Sequence, residues 1–187
     1  GIVGIGLTRT TTSVSMVNLL SPEVELAQSY RWLEAKLGPL VPMEIVLKID
    51  DDKCQLNMLE RMELVQEIEQ HAQNFDEIGG TLSAATFAPP LPEKSTSGAG
   101  GVSSLLRRDR KQLRRRVTNQ KLIDHREELV EGGYLSDDDG TELWRVTARM
   151  RALDDTDYGL FVEHLKAEIE PLIAAKTNAG VQGIDVQ

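Results

Sequence analysis

The chain has 187 residues, 40% of them hydrophobic, 27% charged and only 4% aromatic, and 30 Asp and Glu against 21 Lys and Arg leave a net charge of -9. That length buries a real, mainly aliphatic core, and the acidity argues against bulk nucleic-acid binding. The single Cys54 excludes an intramolecular disulfide framework, no stretch approaches the roughly 18 consecutive apolar residues of a membrane span, and the first residues lack the basic region of a signal peptide.

Residues 13–20 (SVSMVNLL) alternate with period two and predict a strand. Ser21-Pro22-Glu23 is a helix start, with Ser as N-cap and Pro at the first helical position. Leu26, Tyr30, Leu33 and Leu37 then fall on one helical face, and Gly38-Pro39 ends the helix. Residues 43–50 (MEIVLKID) predict a central strand, and Asp50-Asp51-Asp52 caps a helix over about 55–75 with Met58, Met62, Val65 and Ala72 on its stripe. Gly79-Gly80 breaks the chain before a short strand over Thr81–Phe87. Residues 88–101 (APPLPEKSTSGAGG) read as a flexible linker, and 102–131 as two helices or one bent helix ending at Gly132-Gly133.

A hairpin turning at Asp139-Gly140 follows, with Trp144, Val146, Ala148 and Met150 facing in and Arg145, Thr147, Arg149 and Arg151 facing out. Asp154 or Asp155 caps a last helix bearing Tyr158, Phe161, Leu165, Ile169 and Leu172, which Pro171 kinks or ends, and a final strand starts near Val181. The order gives an α+β fold of ferredoxin-like split β-α-β units, with helices packed on a mixed sheet and an inserted helical segment. We read one domain over 1–187: a first β-α-β-α-β unit at 1–87, a linker at 88–101, a helical insertion at 102–133 and a second β-α-β unit at 134–187.

Chemistry is sparse. His71, His125 and His164 have no His or Cys at ligand spacing and read as surface histidines, so no metal is expected. The runs Asp50–Asp52 and Asp137–Asp139 lack the ligand spacing of a calcium loop: Leu135 and Val146 occupy its first and last ligand positions in the second run. Gly1, Gly4 and Gly6 form neither a dinucleotide fingerprint nor a P-loop, and no nucleophile elbow is present, so no cofactor and no catalysis are expected. Met16, Met43, Met58, Met62 and Met150 offer adaptable apolar surface but suit core packing better.

The one charge anomaly is the basic stripe from Arg107 to Arg116 with Lys121 beyond it. It is either a solvated face with intramolecular acidic partners or a contact for anionic headgroups or an acidic partner, with Arg107, Arg108, Lys111, Arg114 and Arg115 as the contact residues. No aromatic residue interleaves the stripe for base stacking, so no nucleic-acid partner is expected. Arg145, Arg149 and Arg151 form a second candidate docking face.

The run LLSPEVELAQSYRWLEAKLGPLVPMEIVLKID, followed by IGGTLSAATFAPPLP, resembles the extracytoplasmic porter region after the first membrane helix of resistance-nodulation-division (RND) exporters. The flavour is that of the MMPL and hopanoid-transporter-like branch. TELWRVTARMRALDDTDYGLFVEHLKAEIEPLI is similar to that family's later strand-helix unit, and AGVQGIDVQ resembles the strand before its second membrane helix. The likeness covers most of 7–187 apart from 88–131 and rests on element order and phrases such as LGPLVPMEIVL.

The resemblance implies a proton-driven pump with a periplasmic, non-enzymatic lobe of a bacterial inner-membrane protein that takes up hydrophobic or lipid-like cargo. The partners implied are the membrane helices and second porter domain of the same transporter, and the intact pump can be a homo-oligomer. The family's proton-relay residues lie in membrane helices, so none carries over to this chain. A start at Gly1 without Met and a stop on an incipient strand at Gly183–Gln187 fit a segment of a longer protein. The rival readings are a stand-alone protein-binding or scaffold domain using its basic helix, and a small α/β enzyme.

Overall fold

The computed structural model describes residues 25–92, 102–151 and 157–187, with the backbone alone described for 102–108. The strand expected at 13–20 with Met16, the Ser21-Pro22 helix start, linker residues 93–101 and the caps Asp154 and Asp155 lie outside the described residues. In chain order the elements are α1 (Glu25–Leu37), β1 (Val41–Asp50), α2 (Met58–Ala72), β2 (Ile78–Ser83) and α3 (Ala84–Phe87). After these come α4 (Val102–Asp124), α5 (Arg126–Glu131), β3 (Leu135–Asp138), β4 (Thr141–Met150), α6 (Tyr158–Asn178) and β5 (Ile184–Val186).

The fold is α+β, built on a five-stranded sheet ordered β2-β4-β1-β5 in which β3 also pairs with β4. Strands β1 and β4 pair antiparallel in register from Val41↔Met150 to Asp50↔Thr141. One edge of β4 is shared: β3 takes its first half (Leu135↔Trp144) and β2 its second (Ser83↔Val146). Every described pairing is antiparallel, where a mixed sheet was expected. The reason is topological. Unit β1-α2-β2 receives β4 between its two strands and unit β4-α6-β5 receives β1, so the parallel strands of each unit never become neighbours.

The alternation expected of the hairpin is observed. Trp144, Val146, Ala148 and Met150 are at most 1% exposed and share a face with buried Ile45, Leu47 and Ile49 of β1. Apolar residues of α2 (Leu59, Met62, Val65, Ile68) and of α6 (Phe161, Leu165, Ile169) enter the same core, and Phe75 meets Phe161 edge-on at 5.5 Å. Met58, Met62 and Met150 are core residues and Met43 is half-buried against the core. Asp139 (φ 50°) and Gly140 (φ 79°) both adopt positive φ, the two-residue hairpin turn that Asp-Gly favours.

Several local expectations are corrected. Asp50–Asp52 does not cap α2; Asn57 does, in a capping box with Glu60, while the Asp50 carboxylate accepts from Asp52 N (3.1 Å) and pairs with Lys53. Gly79-Gly80 lies inside β2 at a bulge, because the chain needs room there: a Cβ on Gly79 would sit 2.1 Å from Pro39 Cγ. Residues 84–87 are helical, since Ser83 Oγ accepts from Ala85 N (3.0 Å) and caps a short turn. Asp157 caps α6, accepting from Gly159 N (3.0 Å) and Leu160 N (3.2 Å), and α6 continues past Pro171 to Asn178. Helix α1 forms, but its stripe is open: Leu26 is 51% and Leu37 64% exposed.

Candidate functional site

The insertion makes the site. Helix α4 packs across α2, and the segment after it returns to the hairpin through α5. Between this arm and the end of α3 lies an apolar cleft of about 520 Å³, lined by Phe87, Ala88, Pro89, Lys121, Leu122, His125, Glu128, Leu129 and Tyr134. Its back wall is set by how α5 ends. Gly133 (φ 70°) donates to Val130 O (2.9 Å) and Tyr134 N to Leu129 O (3.0 Å), a Schellman motif that folds Tyr134 back over Leu129. Phe87 then stacks against Tyr134 at 4.9 Å, joining the two sides of the cleft. Replacing Gly133 by Ala forces a side chain into left-handed backbone and is expected to cost about 1–2 kcal/mol in urea unfolding. An unchanged midpoint would contradict this cap.

Three anchors fix the arm. Both terminal guanidinium nitrogens of Arg115, Nη1 and Nη2, reach the buried carboxylate of Glu63, with Nη2 3.1 Å from Oε2. That hydrogen bond raises the Arg115 pKa further than burial lowers it. Asn119 Oδ1 accepts from Leu59 N (2.9 Å), satisfying a first-turn amide of α2 that the helix itself cannot. Arg126 of α5 bridges Asp137 (2.7 Å) and Glu142 (3.1 Å) on the hairpin. Glu142 is 3% exposed and also accepts from Trp144 Nε1 (2.8 Å) and pairs with Arg61 (2.7 Å). Arg61 in turn holds Asp51 at 2.5 Å, so the charges alternate along Asp51, Arg61, Glu142, Arg126 and Asp137.

The expected contact residues divide. Arg107 and Arg108 belong to α4, with their side chains outside the described residues. Lys111 is half-buried and Arg114 is exposed. Arg115 is withdrawn from the partner surface by Glu63, because burying that carboxylate unpaired is costlier than turning one arginine inward. The outward face of β4 is likewise uneven. Arg145 lies over the Tyr134 ring (5.7 Å) and 3.4 Å from Glu44, so it braces the cleft, whereas Arg149 is exposed and Arg151 lies just past the strand.

Nothing in the sequence singles out Phe87, Leu122, Leu129 and Tyr134 as a site, whereas His125 is exposed, as expected of a surface histidine, and also lines the cleft. The available signal was weak: a lone aromatic at each end of the insertion, beside the Pro-rich run and the double glycine. Among the described residues no group of three or more His, Cys, Asp or Glu side chains could hold a metal ion, and no helix is long and apolar enough to cross a membrane. No family model, curated protein or solved structure matches the chain.

Proposed function

We propose that this chain is a non-enzymatic porter domain of a proton-driven RND exporter of the MMPL and hopanoid-transporter-like branch, receiving hydrophobic, lipid-like cargo on the periplasmic side of a bacterial inner membrane. The observation that carries the reading is the apolar cleft of about 520 Å³, a volume within the range of small-molecule sites. The α+β fold, in which unit β1-α2-β2 and unit β4-α6-β5 interleave in one sheet, is compatible with the ferredoxin-like units expected from element order and supports the reading further. Partners are then the membrane helices and the second porter domain of the same pump.

The work of such a domain is conformational. One wall of the cleft, Phe87–Pro89, belongs to the sheet body, and the other, Lys121–Leu129, belongs to the α4–α5 arm. A small shear of arm against body widens or narrows the space between them.

A neutral fluorescent alkyl probe is expected to bind the 187-residue chain with blue-shifted emission. Leu129→Glu should weaken that binding at least about tenfold, the order of one lost apolar side-chain contact. Binding indifferent to both Leu129→Glu and Phe87→Glu would sink the cargo reading. In the gene, apolar spans of roughly 20 residues should flank the domain; soluble flanks on both sides would sink the exporter assignment.

A further inference from the structure

The cleft has a charged end, and the charge continues along α4. Arg110, Leu113, Arg114, Val117 and Lys121 recur at i, i+3, i+4, i+7 and i+11, which sets them on one helical face. Leu113 is 64% and Val117 49% exposed, and among the described residues Arg110, Arg114 and Lys121 have no ion-pair partner. The stripe is therefore open, basic and apolar together, in a chain of net charge -9. It runs to the cleft, where Lys121 and His125, one turn apart, are lining residues.

At His125 the ring Nδ1 lies 2.8 Å from Lys121 O, and a carbonyl can only accept, so Nδ1 carries the hydrogen. The other ring nitrogen, Nε2, has no partner among the described residues. The carboxylates on this side are Glu128, which lines the cleft, and Asp124, which accepts from Gln120 (2.9 Å).

We propose that the cleft takes the acyl chain of a single lipid with an anionic headgroup, held at the rim by Lys121, joined by His125 Nε2 when the ring is doubly protonated, and guided there by Arg110 and Arg114. This rests on the cleft being the cargo site and adds the chemistry of the cargo's polar end. The apolar lining by Phe87, Leu122, Leu129 and Tyr134 suits a hydrocarbon chain and leaves the charge of an amphiphile at the Lys121 end. The exposed arginines raise the local concentration of anions and act on the rate of arrival more than on residence.

The test uses the 187-residue chain with two fluorescent probes of equal chain length, cis-parinarate and its neutral methyl ester, below their aggregation concentrations. The carboxylate should bind at least about tenfold more tightly than the ester, the effect of one charge-assisted contact. Lys121→Gln should remove most of that difference by weakening the carboxylate several-fold more than the ester. Arg110→Gln with Arg114→Gln should slow association of the carboxylate at low salt. Lys121, Arg110 and Arg114 are exposed, so none of these changes removes a core contact.

Equal affinity for carboxylate and ester overturns the proposal while the cleft stands as cargo site. Failure of both probes to bind overturns the cargo reading itself. Carboxylate binding that survives Leu129→Glu places the anion on the helix outside the cleft and overturns the proposal as well. So does binding to phosphatidylglycerol vesicles with no measurable uptake of the monomeric carboxylate.

Discussion

Trp144→Ala is expected to lower the unfolding free energy by about 3–5 kcal/mol, the range for emptying a fully buried aromatic site. Trp144 is 0% exposed, faces Leu47 on one side and Leu135 on the other, and is the inward residue common to three strands. Its loss opens a void where the aliphatic neighbours cannot close in, and it also removes the indole donor from Glu142. A domain of this size has about 5–15 kcal/mol in hand, so the variant should show a clearly lower urea midpoint by circular dichroism. Trp144→Phe keeps most of the ring volume and should lose less. A loss under 1 kcal/mol in the alanine variant, against that range for core aromatics, would contradict the placement of Trp144.

Glu142→Leu is the second large effect, about 3–5 kcal/mol, because one change leaves two cations without their shared partner. Arg61 and Arg126 both pair with Glu142, and the side chain of Arg61 is only 13% exposed. The loss should be non-additive. Adding Arg61→Met to Glu142→Leu removes the cation that has lost Glu142 and keeps Asp51, and should recover part of the stability, as buried pairs replaced by apolar residues often do. A double-mutant cycle measured by urea unfolding checks this, and strict additivity would mean that the two groups do not interact.

The core was easier to read than the site, for physical reasons that particular residues make plain. Alternation along 142–150 with an Asp-Gly turn before it specifies both the strand and its buried face, because period and turn chemistry are local. The same alternation puts Glu142 on the inward side, a lone acid in an apolar row, and that was the readable signal for the buried ion network. Three aspartates suggest an N-cap for α2 more strongly than one Asn, and Asp52 even has Gln55 three residues on, yet the box that forms is the one between Asn57 and Glu60.

Gly79-Gly80 suggests a break on composition alone; the proximity of Pro39 that requires Gly79 is a tertiary fact. The cleft was illegible for the same reason. Phe87, Leu122 and Tyr134 come from three separated segments, and nothing in their local spacing reveals that a Schellman turn and an inserted arm bring them together. In the basic stripe the sequence could not distinguish Arg115 from Arg114, since which one meets Glu63 depends on how α4 crosses α2.

The interleaved strand order also governs when the chain can fold during synthesis. Strands β1 and β2 are never neighbours, and neither are β4 and β5; each pair is joined through a strand from the other half. Among the described strands, β1 and β2 therefore emerge before the strand they both pair with, Thr141–Met150. Over that interval β1 is an apolar run of the kind that pairs with other chains, and it is flanked by the acidic residues Glu44 and Asp50–Asp52, whose like charge opposes such pairing. The sheet's centre thus waits on the arrival of β4, with β5 joining β1 later still, and such long-range pairing is intrinsically slow.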